Sequence, residues 1–466
     1  MNRQTQELSR RLSGIEYFTF GFGTMVGVGW VVLIDDWLGR GGPAGACLAF
    51  LFGGLLLLPV ARTYGRLVEK IPDAGAEIAY AEGVFPPPVA FAAAWTMVLA
   101  YAIVCPWEAV AVGNLLARVF PGLNQIALYV IGGKTIFLPR LAAGLLLTIL
   151  IAAVNRRGIR LSGLVQDVLT FGLLSLFAIF AALGFARGQV ANLPPLFARP
   201  GVSGALLSVL FVLQVVPYFL TGFESVGKES EEARPGFEPR HFGHAITASL
   251  TVGFLFYAVI VAAVSLVFPW KSLVSGHLGT EAAFEKAFSS RFVAQVILFA
   301  AFLSLIKIFN GNFVAATRLL HGLGRRGLVH ESLGRVDAVR GTPGHAILLM
   351  AVITIGATFL GDALLVPVTE VGSLAVGVGW LSTCLAYLAR SRARGSRAGM
   401  PAALFGAAVS LAIIAMKAIP FVPGSFTRAE WVPFVLWLAL GLLFWSLRTG
   451  GVRKPRSQEV RNPAPK

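Results

Sequence analysis

Charged residues are scarce in this sequence. Only 13% of its 466 residues are Asp, Glu, Lys or Arg, whereas 56% are hydrophobic and the mean hydropathy is +0.75. Soluble domains usually contain roughly 25% charged residues, so this composition argues against a large soluble protein. The scarcity of charge indicates a membrane protein.

Cysteine is also rare, and no catalytic or metal-binding pattern accompanies it. Cys47, Cys105 and Cys384 all lie in apolar runs, without the paired spacing of a zinc site or a disulfide framework. The histidines have no metal-ligand spacing, and the sequence has no phosphate-binding loop of the kind that ATP-driven transporters use. We therefore expect no enzyme activity, no metal and no cofactor.

Long apolar runs dominate the sequence instead. Many reach about 18 residues or more, which is long enough to cross the hydrocarbon core of a bilayer. They predict an all-α membrane protein with about twelve transmembrane helices, called spans 1 to 12, at residues 15–37, 43–62, 87–118, 136–154, 162–185, 203–227, 244–268, 291–320, 345–361, 364–389, 399–421 and 429–447. Span 1 is too long and too rich in glycine for a signal peptide, so we expect it to be retained.

The formal net charge of +16 follows this topology. If the N-terminus is cytoplasmic, most Lys and Arg residues lie in the loops after spans 2, 4, 6, 8 and 10 and in the two termini. The positive-inside rule then places both termini in the cytoplasm. The basic pI of about 10.3 is thereby explained without a nucleic-acid partner, and we expect a multi-pass protein of the cell membrane.

Two predicted spans contain helix-breaking residues at mid-membrane depth. Span 1 has four glycines within residues 21–29, and span 6 has a proline, a glycine and a carboxylate within residues 217–225. Irregular backbone persists inside a membrane only where it lines a cavity or packs against protein. A pair of interrupted helices five spans apart is typical of a transporter site built from repeated halves, although close packing through small residues is an alternative for span 1 alone.

These residues resemble the amino acid–polyamine–organocation superfamily, whose fold is of the leucine-transporter type. The resemblance covers roughly residues 14–450, and three motifs carry it in order: Gly23-Thr24-Met25-Val26-Gly27-Val28-Gly29-Trp30, Thr221-Gly222-Phe223-Glu224-Ser225, and Asn310-Gly311-Asn312-Phe313 with the Gly324-Arg325-Arg326-Gly327-Leu328 run behind it. It implies a 5+5 inverted repeat plus two C-terminal helices. The expected divisions are a cytoplasmic N-terminal segment at 1–14, repeats at 15–185 and 203–389, spans 11 and 12 at 399–447, and a disordered basic cytoplasmic tail at 448–466.

The resemblance also implies a substrate site at the two breaks. The candidate residues are Gly23, Thr24, Met25, Gly27, Val28 and Gly29 on span 1, Tyr218, Phe219, Thr221 and Gly222 on span 6, and Phe309 on span 8. Backbone amides after the span 1 break suit a carboxylate, and carbonyls around the span 6 break suit an ammonium. Tyr218 matches an aromatic residue that closes over substrate in similar transporters, with a packing role as the alternative. Phe309 forms either a second aromatic wall or part of the core.

Four ionisable residues lie well inside predicted spans: Glu108, Asp167, Glu224 and Lys307. Each is costly alone in hydrocarbon and needs a partner or water. We expect Glu224 to contact the unwound backbone or couple protons, and Glu108 to meet the substrate amine, carry a proton or bond a neighbouring helix. Asp167 is expected to form an ion pair with the arginines at 156–160.

Lys307 is a departure from the superfamily pattern. Some similar proton-coupled carriers place a lysine on span 5, where this sequence has Leu173. Relatives that use sodium have small hydroxyl residues on span 8, and Lys307 aligns with one of them. We hypothesise that Lys307 supplies the cation and removes the sodium requirement, and that it acts as a proton-linked switch. A permanent pair with Glu108 or Glu224 is the alternative.

The expected function is therefore secondary active transport of an amino acid or related amine by alternating access, as a permease or exchanger linked to protons rather than sodium. The expected partners are that small molecule, protons and the lipid bilayer. Ethanolamine or a polyamine is an alternative substrate, because an amine without a carboxylate needs Glu108 more than it needs amides. A membrane sensor or a channel of the same fold is the alternative from another class.

Overall fold

The computed structural model describes residues 7–422 and 424–448, and it describes residues 364–369 by their backbone alone. In this part of the chain, ten helices have the length and hydropathy to cross a membrane, and two shorter apolar helices complete the twelve spans. Three spans consist of more than one helix: span 1 of Gly14–Met25 and Gly29–Val32, span 3 of Pro87–Ala102 and Val104–Val119, and span 6 of Gly201–Leu213, Val216–Leu220 and Ser225–Lys228. The other spans are single helices: span 2 is Ile34–Lys70, span 4 Leu138–Arg157, span 5 Ile159–Arg187, span 7 Arg240–Val267, span 8 Arg291–Arg325, span 9 Gly344–Thr358, span 10 Leu365–Ala393, span 11 Met400–Ala418 and span 12 Arg428–Ser446. The prediction of an all-α membrane protein is confirmed.

The helix Ile34–Lys70, which forms span 2, also includes residues 34–37, which the sequence predicted as the end of span 1. Its 37 residues contain one non-helical position, Gly42, with φ 68° and ψ 175°, directly before Pro43. A positive φ favours glycine, and the following proline cannot donate a backbone hydrogen bond. The chain therefore bends where the sequence predicted the boundary, but span 2 continues eight residues beyond its predicted end at residue 62.

The spans differ in how deeply they lie in the bundle. The most hydrophobic windows of spans 1 and 3 are 78% and 83% buried, whereas those of spans 5 and 12 are 22% and 11% buried. Spans 1 and 3 are thus surrounded by protein, and spans 5 and 12 present most of their apolar surface outward, as lipid-facing helices do. This arrangement places the broken span 1 at the centre of the molecule.

The loop between spans 3 and 4 contains the hairpin Ala127–Ile131 and Lys134–Phe137. The strands are antiparallel and pair Ile131 with Lys134 across Gly132 and Gly133, whose φ values are 56° and 75°. Two consecutive residues with positive φ form a tight turn that suits Gly-Gly. The sequence analysis missed this hairpin, although its Gly-Gly signal was present.

A second feature missed in the sequence is the pair of helices Trp270–Ser275 and Thr280–Phe288 between spans 7 and 8. Thr280 donates a hydrogen bond to the carbonyl of Trp30, 2.6 Å away, just beyond the span 1 break. The helices therefore cover span 1 from the side of the membrane opposite the N-terminal segment.

On the N-terminal side, an ionic network joins the segments after spans 2 and 6 to the last turns of span 8 and the residue that follows it. Arg318 and Glu232 form a fully buried pair at 2.9 Å, and Arg325 and Arg326 each lie 2.9 Å from Asp73. Burial raises the pKa of Asp73, but the guanidinium groups of Arg326 and Arg325 outweigh burial and lower it to about 2. This network closes the N-terminal side of the bundle.

The N-terminal segment is tied to the same network. The backbone amides of Arg11 and Leu12 donate to the carbonyl of Glu232 at 2.7 and 2.9 Å, and the carbonyl of Leu12 accepts from Arg234 at 2.9 Å. The remainder of the two predicted terminal segments, residues 1–6 and 449–466, lies outside the described residues.

Candidate substrate site

Span 1 loses its helical hydrogen bonding between Met25 and Gly29. Val26 has the extended angles φ −93° and ψ 101°, and the helix resumes at Gly29. A helix end leaves carbonyls without amide partners, and side chains of span 8 take their place. Ser304 donates to the carbonyls of Val26 and Gly27 at 3.0 and 2.8 Å.

Lys307, one turn further along span 8, bonds the same break. Its ammonium donates to the carbonyl of Gly23 at 3.3 Å and to that of Val26, and it lies 5.2 Å from the ring centroid of Phe22. Among the described residues no carboxylate lies within 4.0 Å of this nitrogen, so the permanent pair with Glu108 or Glu224 is not what the structure shows. Lys307 is bound to the unwound backbone.

Span 6 breaks at Thr221 and Gly222, and the helix resumes at Ser225. Gly222 has φ 132°, and a Cβ added there would lie 2.6 Å from the amide nitrogen of Met25. The carboxylate of Glu224 accepts from the Gly222 amide at 3.1 Å and from the Tyr101 hydroxyl at 3.0 Å. The two breaks are therefore in direct backbone contact, and Glu224 contacts the unwound backbone as expected.

A small cavity, here called the central cleft, lies between the breaks and the middle of spans 3, 7 and 8. It is lined by Thr24, Met25, Gly27, Gly29, Val104, Trp107, Glu108, Tyr218, Phe219, Thr221, Tyr257, Ile308 and Asn312. Its volume is about 20 Å³ in this conformation, which is enough for one or two water molecules. The bundle is closed tightly around the cleft.

Four side-chain atoms on the cleft wall are buried without a hydrogen-bond partner. They are Thr24 Oγ1, Glu108 Oε2, Thr221 Oγ1 and Asn312 Oδ1. Such atoms usually find partners, and each one left alone costs about 1–3 kcal/mol. Their concentration around one cavity indicates a place for a polar ligand.

Aromatic and aliphatic side chains form the rest of the wall. The Phe219 ring packs edge-on against Tyr218 and Trp37 at centroid distances of 5.2 and 4.8 Å, and the Tyr257 hydroxyl donates to the carbonyl of Met25 at 3.3 Å. A small number of polar groups that point into an otherwise apolar cavity is typical of a small-molecule binding site.

The structure brings eight of the fourteen sequence candidates to the cleft: Thr24, Met25, Gly27, Gly29, Glu108, Tyr218, Phe219 and Thr221. Gly23, Val28, Gly222, Glu224, Lys307 and Phe309 are buried but do not line it. Gly23 and Gly222 shape the breaks, and Lys307 lies behind the span 1 backbone. The aromatic wall expected from Phe309 is absent, because Phe309 packs against Phe313 at 6.4 Å and its neighbour Ile308 faces the cleft.

The sequence analysis missed five lining residues: Val104, Trp107, Tyr257, Ile308 and Asn312. Asn312 carried a usable signal, since a second amide follows Asn310 inside an apolar run. The ion pair expected for Asp167 was wrong, because its carboxylate accepts a hydrogen bond from Thr19 of span 1 at 2.5 Å and no described arginine lies within ion-pair distance.

Two broken membrane helices that meet beside a buried polar cleft define a multi-pass membrane transporter of the carrier type. Sequence comparison agrees with this class. Residues 12–445 match the amino acid permease family, and the chain belongs to that family, within the amino acid–polyamine–organocation superfamily.

Individual relatives are distant in sequence but similar in length. The chain is 22% identical over 391 residues to the amino-acid permease RocE of Bacillus subtilis, which covers 82% of this chain and 81% of RocE. It is 24% identical over 455 residues to the branched-chain amino acid permease BcaP of B. subtilis, covering 95% and 93%. It is 23% identical over 467 residues to the methylthioribose transporter of B. subtilis, covering 95% and 94%. The chain is thus a member of a permease family whose relatives are named as transporters of amino acids or of methylthioribose.

Proposed function

We propose that this protein is a secondary active transporter that carries an amino acid or a related amine through the central cleft by alternating access. The observation that carries the proposal is the group of four unpartnered polar atoms in the cleft. A bound ligand with several N–H donors would satisfy Glu108 Oε2 and Asn312 Oδ1, which only accept hydrogen bonds, and the two threonine hydroxyls, which do either.

An ammonium group suits these acceptors. The carboxylate of Glu108 is 1% exposed, and one of its oxygens has no partner. A buried charge is stabilised by an opposite charge that also donates hydrogen bonds. A substrate carboxylate would meet the amides at Val28 and Gly29, where the helix of span 1 resumes.

The closed cleft supports alternating access. With a volume of about 20 Å³, it cannot admit an amino acid unless spans 1 and 6 separate from spans 3 and 8. The ionic network around Asp73 on one side and the helices Trp270–Ser275 and Thr280–Phe288 on the other are the coverings that would open in turn.

Lys307 supports coupling to protons rather than sodium. Its ammonium binds the carbonyls of Gly23 and Val26, which are hard oxygen ligands of the kind that a small metal cation would use. A fixed cation in this place leaves sodium no role there. We further propose that the side carrying the Asp73 network is cytoplasmic in the cell membrane, because the basic loops lie on that side.

The second candidate is a transporter of an amine without a carboxylate, such as ethanolamine or a polyamine, and the buried Glu108 favours it. A thermal-shift screen of the purified protein against amino acids and amines separates the two, since a selective ligand raises the melting temperature. Uptake into proteoliposomes with imposed pH gradients in sodium-free buffer then tests the coupling. Strict dependence on sodium would refute the proposed proton link, and binding without uptake would indicate a sensor.

A further inference from the structure

A larger cavity than the central cleft is a crevice between the beginning of span 1, the segment after span 6 and the beginning of span 7. Its volume is about 550 Å³, and its walls include Phe18, Arg234, Phe237, His241, His244 and Ala248. It shares no lining residue with the central cleft. The crevice is therefore distinct from the proposed transport site.

The basic side chains are grouped at one end of the crevice, where the Phe237 ring lies 5.7 Å from that of His241. Arg234, His241 and His244 lie at its mouth, near the start of span 7 at Arg240. Ala248 lies seven residues after His241 and four after His244 on that helix, which is about 6–10 Å deeper at 1.5 Å per residue. We therefore expect the mouth to lie near the lipid headgroups and the floor among the acyl chains, because span 7 begins at Arg240.

The crevice opens sideways toward lipid. His241, Ala248 and Leu255 follow one another at seven-residue intervals, so they share one face of span 7. Leu255 is 44% exposed on the outside of the bundle, and both His241 and Ala248 are exposed. A molecule in the crevice can enter from the bilayer without crossing the protein.

The charge at the mouth is positive. The guanidinium of Arg234 is exposed and has no hydrogen-bond or ion-pair partner among the described residues. Glu238, the one carboxylate on the crevice wall, is paired with Arg240 at 2.5 Å. Arg10 lies nearby and donates to the carbonyl of Ala233 at 3.0 Å. Because the positive charges of these side chains outnumber the negative ones, the mouth favours binding of an anion.

We propose that this crevice binds an anionic phospholipid, with the headgroup phosphate at Arg234, His241 and His244 and the upper acyl chain over Phe18 and Ala248. Arginine recognises phosphate through a planar set of N–H donors, and imidazole N–H groups add further donors. A soluble anion would use the mouth but would gain nothing from the apolar floor. The inference does not depend on the identity of the transported substrate.

The test measures the melting temperature of the purified full-length protein in neutral detergent, titrated with short-chain phosphatidylglycerol, phosphatidylcholine or inorganic phosphate. Phosphatidylglycerol is expected to raise the melting temperature of the wild type, and the two other additives are not. The double variant Arg234→Gln/His241→Gln is expected to need at least fivefold more phosphatidylglycerol, since an arginine near an anionic membrane surface contributes roughly fivefold and the variant also removes the imidazole of His241. The matched control is Arg157→Gln, which removes an exposed arginine on the same side of the membrane. Its melting temperature is expected to respond to phosphatidylglycerol as that of the wild type does.

A second variant changes the apolar floor of the crevice and leaves the charge of the protein unchanged. Ala248→Trp fills the apolar part of the crevice and is expected to weaken the lipid response while leaving the melting temperature without lipid within a few degrees of wild type. Native mass spectrometry should show one fewer retained phosphatidylglycerol in both variants. An equal response of the wild type and both variants, or full replacement of phosphatidylglycerol by inorganic phosphate, would overturn the proposal.

Discussion

The ammonium of Lys307 donates a hydrogen bond to the carbonyl of Gly23 at 3.3 Å, across the interface between spans 8 and 1. Gly23 is the last of the span 1 glycines before the break, so its carbonyl faces span 8 instead of a helical amide. A lysine on one helix thus holds the broken backbone of another. If span 1 moves during transport, this contact must change.

The first prediction follows from that contact. Lys307→Ala removes the cation from the carbonyls of Gly23 and Val26. The Val26 carbonyl keeps its hydrogen bond from Ser304, whereas the Gly23 carbonyl loses its side-chain partner, at about 1–3 kcal/mol for a buried group. We expect substrate uptake driven by a pH gradient to fall at least tenfold in proteoliposomes. Lys271→Ala, an exposed lysine on the opposite membrane side, should transport like the wild type.

Full pH-dependent uptake by Lys307→Ala would remove the switch role from this lysine. A variant that binds substrate normally in the thermal-shift assay but no longer responds to the pH gradient would support that role, because it separates coupling from folding and binding.

The second prediction concerns Glu108, whose Oε2 is unpartnered in the cleft. Glu108→Gln keeps the shape of the side chain and removes its charge, so a hydrogen bond to a charged group becomes a neutral one. We expect substrate affinity to fall by about 2 kcal/mol, or roughly thirtyfold. Asp167→Asn, which neutralises a carboxylate away from the cleft, should leave the affinity unchanged.

The size of the loss of affinity in Glu108→Gln also distinguishes amino acids from amines without a carboxylate. A zwitterionic amino acid retains its carboxylate contacts at span 1 and should lose less affinity than an amine of similar size. A Glu108→Gln protein that binds every ligand as tightly as the wild type would show that Glu108 bonds only its neighbours.

The breaks in spans 1 and 6 were predictable from sequence because glycine and proline act on the backbone itself. The clustering of glycines before Gly29 and the Pro217–Gly222 interval set the position of both interruptions. The bend at Gly42 was predictable for the same reason. Local backbone chemistry was sufficient for these features.

The wall of the cleft was less predictable because it depends on how helices rotate against one another. Ile308 and Phe309 are adjacent, about 100° apart around span 8, and only packing decides which of them faces the cleft. Tyr257 lies in an uninterrupted apolar helix, where the sequence has no local signal. Asp167 met Thr19 rather than an arginine because span 5 packs against span 1 at that depth.

The third prediction tests the contact between the two breaks. Gly222→Ala places a Cβ 2.6 Å from the amide nitrogen of Met25 in a residue with φ 132°. Backbone strain of this kind costs about 1–3 kcal/mol, and the clash adds to it. We expect a lower melting temperature and loss of substrate binding.

Gly356 on span 9 is the matched control for Gly222. A Cβ added there has nothing within 4 Å, and alanine is the better helix former, so Gly356→Ala should be neutral or slightly stabilising. Equal behaviour of the two variants would mean that the backbone contact between Gly222 and Met25 has no functional importance.

The fourth prediction is a pH dependence outside the membrane. The pKa of Asp73 is lowered to about 2 by Arg326 and Arg325, whereas an unfolded aspartate titrates near 3.9. Because the pKa is lower in the folded state, the stabilisation is fully present above pH of about 4 and is lost as the pH falls toward 2. Asp73→Asn should melt at a lower temperature than the wild type at pH 7, by an amount equivalent to about 2–3 kcal/mol.

The difference in melting temperature between Asp73→Asn and the wild type should shrink as the pH is lowered from about 4 to 2, since the wild-type carboxylate then takes up a proton. Glu285→Gln, at a 43% exposed side chain on the opposite side, should follow the wild-type melting curve throughout. A gap between Asp73→Asn and the wild type that is constant with pH would contradict the ionic origin of the network.

The last prediction concerns the size of the substrate side chain. Ile308 Cδ1 would lie 2.7 Å from a Cβ on Gly27, so this side chain fills the space beside the span 1 break. Ile308→Ala removes three carbon atoms from the cleft wall and should shift selectivity toward larger ligands, because each methylene of a ligand buried in the enlarged space contributes about 0.8 kcal/mol. Thermal-shift titration with amino acids or amines of increasing length measures this change. Ile306→Ala, two residues earlier and outside the cleft, should keep the wild-type order of ligands, and an identical shift in both variants would assign the effect to loosened packing of span 8 rather than to the cleft.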